Sequence, residues 1–308
     1  MKTILITGAN GQLGYELPRT APDGFQCVLT DKDELDITDS EAVNAFVEKC
    51  KPDVIINSAA YTAVDKAEEE QALAAAINET GASNLAQVSK DNGIKFIQTS
   101  TDFVFDGKGC SPYLVEAPTN PQGVYGQTKD DGDKAVLEIL GDNAFIIRTA
   151  WLYSAHGNNF VKTMLRLMGE KDQLGIIADQ IGTPTWANPL AQAIWQAIEK
   201  DCVGLYHWTD AGVASWYDFA VAIQEEALAM DLLDRKISIK PLTTADYPTP
   251  ASRPAYSVLD KSTTWKVLGL QSEHWRFALR RMLEELKGDC IDVPFMLQER
   301  VQALRDSR

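Results

Sequence analysis

The segment Gly8-Ala9-Asn10-Gly11-Gln12-Leu13-Gly14 follows directly on an apolar run, Ile4-Leu5-Ile6, closed by Thr7, and leads into a helical pattern that ends at Pro18 or soon after. Three glycines at this spacing permit a tight turn, let a ligand approach the backbone, and let a helix pack closely on a strand. The start of the following helix directs unpaired N–H groups and positive potential at the loop, which suits a pyrophosphate. Gly8, Asn10, Gly11, Gln12, Leu13 and Gly14 are therefore candidate cofactor-binding residues. A strand–loop–helix of this kind opens parallel βαβ architectures.

The chain up to Thr149 keeps alternating strand and helix patterns. Cys27-Val28-Leu29-Thr30 reads as a second strand ending at Asp31. A carboxylate there accepts hydrogen bonds from an adenine ribose and disfavours an added 2′-phosphate. Lys32 follows at once, so NADH and NADPH both stay open. Asp36 and Ile37 are candidates for the adenine side, ahead of a helix at 40–50. Residues 53–57 form a third strand, and the small-residue turn Ser58-Ala59-Ala60-Tyr61-Thr62 lets backbone approach a cofactor through Ala59, Ala60 and Tyr61. Glu68-Glu69-Glu70 reads as a solvated helix face. Residues 72–92 have helical spacing, with Ala76, Leu85, Ala86 and Val88 in the core and Gly93 ending the helix. Residues 95–99 are a fourth strand, residues 106–123 a Gly/Pro-rich loop, 125–140 a helix and 144–148 a fifth strand. The fold class is α/β: a Rossmann-type doubly wound parallel sheet.

The fourth strand delivers Ser100-Thr101-Asp102 at its carboxyl end, where open parallel sheets bind ligands. Tyr125 and Lys129 stand four residues apart at the start of the next helix and share one face. A phenol titrates near about 10, and a neighbouring ammonium favours its ionised form, drawing it toward proton transfer at neutral pH. Ser100 or Thr101 supplies a second hydroxyl to the same substrate oxygen.

After Thr149 the pattern loosens. Trp151 and His156-Gly157-Asn158-Asn159-Phe160 precede a helix ending near Met168; 176–179 and a helix at 190–199 return to the sheet. Gly204-Leu205-Tyr206-His207-Trp208, a helix capped by Ser215, and Ile237-Ser238-Ile239 form a smaller mixed lobe. Tyr247 to Pro254 is a stiff proline-rich segment whose Arg253 suits a ligand diphosphate, and a helix follows at 272–286. The expected division is a dinucleotide-binding domain at 1–149 that 176–203 rejoins, a substrate lobe at 150–175 and 204–290, and a peripheral segment at 291–308.

Composition narrows the partners. There are 29 Lys and Arg against 44 Asp and Glu, a formal charge of −15, and a sequence pI of about 4.7. Such a chain repels phosphate backbones at long range, which argues against nucleic-acid or anionic-membrane partners. Cys27, Cys50, Cys110, Cys202 and Cys290 are scattered with no Cys-x-x-Cys, and His156, His207 and His274 are equally dispersed, so neither a disulfide framework nor a zinc site is indicated. No apolar stretch reaches the roughly 18 residues of a membrane span. A reduced, cytoplasmic protein is expected.

Gly8/Gly11/Gly14, Ser100-Thr101 and Tyr125/Lys129, in this order and at these separations, resemble the extended short-chain dehydrogenase/reductase family. Ala63-Val64-Asp65-Lys66-Ala67-Glu68, Ser100-Thr101-Asp102-Phe103-Val104-Phe105-Asp106-Gly107, Arg148-Thr149-Ala150-Trp151, Gly157-Asn158-Asn159-Phe160 and Pro250-Ala251-Ser252-Arg253-Pro254 narrow the resemblance to the dTDP-4-dehydrorhamnose reductase family, across almost the whole chain. That resemblance implies reduction of a 4-keto nucleotide sugar by NADPH or NADH. It implies that Tyr125 gives the proton to the 4-oxygen, that Lys129 tunes it and holds the nicotinamide ribose, and that Thr101 hydrogen-bonds the same oxygen. Ser100 joins the cofactor site, and Thr101, Asp102, Phe103, Trp151, Asn159 and Arg253 form the substrate site, with Arg253 at the diphosphate.

Dimeric family members that carry magnesium have a glutamate in the region matching 185–190, where this chain has Trp186-Ala187-Asn188-Pro189. A hard cation prefers carboxylates, so a metal-free monomer or weak homodimer is expected. The rival enzymes are nucleotide-sugar 4,6-dehydratases and 4-epimerases of the same superfamily. Dehydratases follow the threonine with an Asp-Glu pair, whereas Asp102 is followed by Phe103. A further rival is the non-catalytic regulatory subunit of methionine adenosyltransferase, a dinucleotide-binding module; intact Tyr125, Lys129 and Thr101 weigh against it.

Overall fold

The structure is a computed structural model that describes residues 1–292, with side chains to 288. The expected peripheral segment at 291–308 lies outside the described residues but for its first two, which end the last helix.

Strand β1 (Lys2–Thr7) sends Ile4 and Ile6 to one face and Leu5 to the other. Helix α1 (Gln12–Arg19) carries Pro18 in its last turn, and β2 (Phe25–Thr30) starts two residues before the expected segment. Asp39 accepts the Glu41 and Ala42 N–H groups and so caps α2 (Ser40–Cys50). β3 (Val54–Asn57) follows.

A short helix α3 (Val64–Ala67) comes first, and the helical pattern expected from 72 is broken into α4 (Gln71–Ala75), a π-helical turn at Ala76–Gly81, and α5 (Ala82–Asn92), which Gly93 ends in a left-handed cap. The π turn carries buried Asn78 inward. There its amide accepts the Tyr61 N–H at 2.8 Å and donates to the Thr128 hydroxyl at 3.0 Å. Ala76, expected in the core, is half-buried and lines a cleft. Glu68 is not simply solvated either, because it accepts the Val124 N–H at 2.9 Å and so secures the start of α6 (Val124–Leu140).

β4 (Lys95–Thr101) and β5 (Phe145–Thr149) continue the sheet. Beyond it come β6 (Leu152–Tyr153), α7 (Phe160–Glu170), β7 (Gln173–Ile177), β8 (Ile181–Gly182), β9 (Thr185–Trp186), α8 (Ala187–Glu199), β10 (Gly204–His207), β11 (Ala214–Ser215), α9 (Trp216–Ala229), β12 (Ser238–Leu242), α10 (Ser262–Leu268) and α11 (Trp275–Asp292).

The central sheet has six parallel strands in the order β2-β1-β3-β4-β5-β10. The direction of travel reverses between β1 and β3, and that switch point opens a crevice at the carboxyl ends of the strands. Ile4, Ile6, Ile56 and Ile147 pack under α1 and α8; Leu5, Ile55, Phe96 and Ile146 pack under α2, α5 and α6. Each such fully buried apolar side chain contributes roughly 1.5–3 kcal/mol.

Two placements differ from the sequence expectation. Gly204 to Trp208, assigned to the smaller lobe, supplies β10 at the edge of the central sheet, in register with 145–148. Strand β7, expected near 176–179 as a return to that sheet, instead pairs in parallel with β12 in the smaller lobe. Its alternating burial, with Leu174 and Ile176 inward, serves the lobe's own core of Val161, Met164, Phe219 and Leu279. A short strand's partner is decided by long-range packing that local pattern does not carry. Helix α8 does return, burying Leu190, Ile194 and Ile198 against the sheet.

Candidate active site

The crevice is a cleft of about 980 Å³, at the upper end for small-molecule sites. One wall is the glycine loop. Gly8 has φ +68°, and a Cβ there would sit 2.5 Å from the Ala59 nitrogen; one on Gly14 would sit 2.2 Å from the Gly8 carbonyl oxygen. The first position brings β1 against the turn after β3, and the second seats α1 on the loop. Gly14 thus acts in packing and does not line the cleft. No side chain caps α1 and no acidic residue stands in its first turn, so its N-terminal N–H groups face the cleft unneutralised. This cradle fits a dinucleotide pyrophosphate.

Asp31 accepts the Asn10 N–H at 2.9 Å and the Lys32 N–H at 2.8 Å, which ties the end of β2 to the glycine loop. Asp36 accepts both the N–H and the hydroxyl of Thr38, and those bonds hold its carboxyl below the usual range. Ile37 is buried, with Leu13 across the loop. Lys32, Asp36, Ile37, Ala59 and Ala60 all border the same cleft, but Tyr61 does not. Its backbone is bound by Asn78, and its hydroxyl donates to Glu70 at 2.5 Å, which pushes the phenol up to about 12.

At the far end β4 and α6 bring Thr101, Asp102, Phe103, Tyr125 and Lys129 together. The Thr101 hydroxyl accepts the Phe103 N–H at 3.2 Å and donates to Asp102 at 3.1 Å. Burial raises the Asp102 carboxyl to about 6. The Phe103 ring meets Tyr125 edge-on at 5.4 Å. Burial also pushes the Tyr125 phenol up to about 12; the Thr101 hydroxyl works against this, and the Asp102 and Asp133 carboxylates work with it.

The relation expected between Tyr125 and Lys129 is corrected here. Lys129 is buried, and its Nζ donates to the Thr99 carbonyl at 2.8 Å. The ammonium is docked on β4, and burial governs the phenol. Ser100, also offered as a second hydroxyl, donates to Asp133 at 2.6 Å and is thereby engaged.

The lobe supplies the opposite wall. Trp151 leaves β5 in a left-handed conformation, φ +47°, and stacks on Trp216 with centroids 3.6 Å apart. Asn159 caps α7 through the Lys162 N–H at 3.1 Å and donates to Gln12 at 2.9 Å, joining lobe to glycine loop. Arg253 lines the cleft in a bidentate pair with Asp65, at 3.0 and 2.8 Å. This pair holds the guanidinium in place and lowers the Asp65 carboxyl.

Asp65, Asp133 and Trp216 were not singled out from the sequence. Asp133 had a signal, standing four and eight residues beyond Lys129 and Tyr125 on one helix face. Trp216 had none, since its partner is 65 residues away in the chain.

The family described as RmlD substrate binding domain matches residues 1–287. The dTDP-4-dehydrorhamnose reductase of Aggregatibacter actinomycetemcomitans is 41% identical over 290 residues, covering 92% of this chain and 98% of that protein. This chain belongs to the dTDP-4-dehydrorhamnose reductase family. A crystal structure of a dTDP-4-dehydrorhamnose reductase from Clostridium acetobutylicum superposes with a TM-score of 0.87 at 41% identity, covering 92% of this chain and 99% of that one. The Bacillus anthracis reductase, solved in complex with NADP, gives a TM-score of 0.87 at 38% identity, covering 92% and 99%.

Members of this reductase family are oxidoreductases on a Rossmann-like sheet, and this chain shares that fold. Among the described residues, no helix of this family member is long and apolar enough to cross a membrane.

Proposed function

We propose that this chain reduces the 4-keto group of dTDP-4-dehydro-L-rhamnose to give dTDP-L-rhamnose, using NADPH or NADH. The observation that carries the reading is a single cleft that joins an uncapped glycine-loop helix to Thr101, Tyr125 and Lys129. The reduced nicotinamide supplies the hydride. The glycine loop would hold its pyrophosphate, Asp31, Lys32, Asp36 and Ile37 its adenosine, and Lys129 with Ser100 the nicotinamide side.

Tyr125 gives its proton to the sugar 4-oxygen as charge develops there. A phenol kept protonated by burial suits the role of donor, and the Thr101 hydroxyl shares the same oxygen. Asp102, Phe103, Asn159 and the stacked Trp151 orient the sugar, and Arg253 meets the diphosphate while Asp65 holds its guanidinium. Charge on this acidic chain is thus met by local donors. The two lobes act as a dinucleotide-binding part built on the central sheet and a substrate part built from β7, β12, α7, α9 and α11. We assign a cytoplasmic location, a metal-independent reaction, and a monomer or weak homodimer.

The test is oxidation of NADPH and of NADH, side by side, on adding freshly made dTDP-4-dehydro-L-rhamnose. Rapid consumption with dTDP-L-rhamnose as product is expected. No consumption despite demonstrable dinucleotide binding overturns the reading in favour of another nucleotide sugar or a binding module. Isolation with stoichiometric oxidised nicotinamide would favour an epimerase. Full activity after chelation is expected, and stoichiometric metal in protein purified with magnesium would reverse the metal assignment.

A further inference from the structure

Below the proposed reacting groups, α6 meets β4 and β5 through a buried charged cluster in which the chemistry above gives Asp133 and Arg148 no role. Asp133 is 1% exposed, one turn beyond Lys129 and two beyond Tyr125 on the same helix face. Its Oδ2 accepts the Ser100 hydroxyl at 2.6 Å and the Arg148 Nε–H at 3.4 Å. Lys129 donates to the Thr99 carbonyl, so two successive turns of α6 grip two successive residues of β4. Among the described residues, Asp133 Oδ1 and Arg148 Nη1 have no hydrogen-bond partner.

A buried ammonium is costly unless an opposite charge faces it. The carbonyl that Lys129 bonds is neutral. The charged and titratable groups around the cluster are Tyr125 and Lys129 on α6, Asp102 after β4, Arg148 on β5 and, beside Arg148, His207 on β10. Lys134 is on the exposed side of α6 and pairs with Asp130 at 2.6 Å. Burial and the Arg148 guanidinium push His207 down to about 3, so it stays neutral. Asp102, which burial raises to about 6, lies on the Tyr125 side. Arg148 repels the ammonium. Burial raises the Asp133 carboxyl, while Arg148, Lys129 and the Ser100 hydroxyl work against this, and Asp133 is the group in this cluster that supplies negative charge from the Lys129 side of the helix.

We infer that Asp133 is a positioning residue: its carboxylate, set by Ser100 and Arg148, is the counter-ion that keeps Lys129 and Tyr125 in their proton-bearing forms. The inference rests on the reductase reading of Tyr125 and Lys129. Loss of this charge destabilises the Lys129 ammonium and eases ionisation of Tyr125, and both effects move in one direction with pH. Asp133 touches no reacting atom and acts only through its neighbours.

The experiment is the pH profile of kcat/KM, with NADPH binding followed over the same range, for wild type, Asp133→Asn, Asp133→Glu and the double variant Asp133→Asn/Arg148→Gln. The double variant removes both charges, so it keeps the test informative where the single variant leaves Arg148 unpaired and fails to fold. The basic limb is expected to move to lower pH by about 1–3 units in Asp133→Asn and by less, in the same direction, in the double variant, which also removes the Arg148 charge, with Asp133→Glu restoring it. A uniform loss of activity with the limb unmoved would mean a purely structural role and overturn the inference. Failure of wild type to reduce the 4-keto sugar nucleotide would instead overturn the reductase reading. The NADPH-binding profile would then decide the inference alone: a limb displaced in the Asn variants supports it, and coincident limbs overturn it.

Discussion

Lys129 donates to the Thr99 carbonyl at 2.8 Å, and this one bond changes what the Tyr125/Lys129 spacing means. The sequence places an ammonium and a phenol on one helix face, which read alone predicts a phenol with a depressed pKa. With the ammonium docked on β4, burial dominates and the phenol rises to about 12. Tyr125 is thereby kept as an acid that already holds its proton, which suits reduction of a ketone.

Tyr125→Phe removes that proton and little else, because the ring packs edge-on against Phe103. Turnover should fall by about 10²–10⁴-fold while NADPH affinity, read by fluorescence titration, stays near wild type. Equal loss of turnover and affinity would make Tyr125 a structural residue.

The alternation of the first 149 residues made the central sheet legible, because buried parallel strands read as apolar runs and glycines mark their turns. Gly8 was legible for the same reason. Less so were residues whose role depends on distant partners: the Ala76–Gly81 π turn exists because Asn78 bonds Tyr61 and Thr128, and Trp216 matters because Trp151 lies on it. Short strands such as β7 and β10 were assigned to the wrong sheet, since two to five residues of apolar pattern fit either. Tyr61 lay in a turn correctly read as close to the cleft, but Glu70 draws its hydroxyl elsewhere.

Asp31 bears on cofactor choice through charge and through the loop. Its carboxylate opposes a 2′-phosphate, while its bonds to Asn10 and Lys32 brace the glycine loop. Asp31→Ala should weaken NADH more than NADPH and so shift the kcat/KM ratio toward NADPH. An unchanged ratio would remove the discriminating role and leave only the bracing one.

Trp216 sets the Trp151 indole by stacking at 3.6 Å, and Phe160 closes on Trp216 at 4.7 Å. Trp216→Ala removes the platform beneath a residue already held at positive φ, where strain persists only with support from its surroundings. Stacking of this kind is worth about 0.5–1.5 kcal/mol beyond buried area, so KM for the sugar nucleotide should rise about two- to tenfold with NADPH affinity unchanged. Steady-state kinetics at saturating NADPH would show it. A fall in kcat alone would place Trp216 outside substrate recognition.

Asp102 gives stability a pH dependence of definite sign. Its carboxyl is 2% exposed, and burial raises it to about 6, against roughly 3.9 in an unfolded chain. Between those values the native state holds a proton that the unfolded state has released, so this group lowers stability as pH rises through the window. The full cost, on the order of 3 kcal/mol, stands above the folded value. Asp102→Asn titrates in neither state. The stability of Asp102→Asn relative to wild type, measured by urea unfolding from pH 4 to 7, should therefore grow by about 2 kcal/mol, and nearly all of the change should fall below pH 6.5. Other titrating groups, His207 among them, contribute to both proteins and cancel in the difference. A difference independent of pH would mean that Asp102 titrates in the folded protein as it does in the unfolded chain, its burial offset by the Thr101 hydroxyl and its neighbours, and that it meets the sugar near neutral pH as an acceptor only.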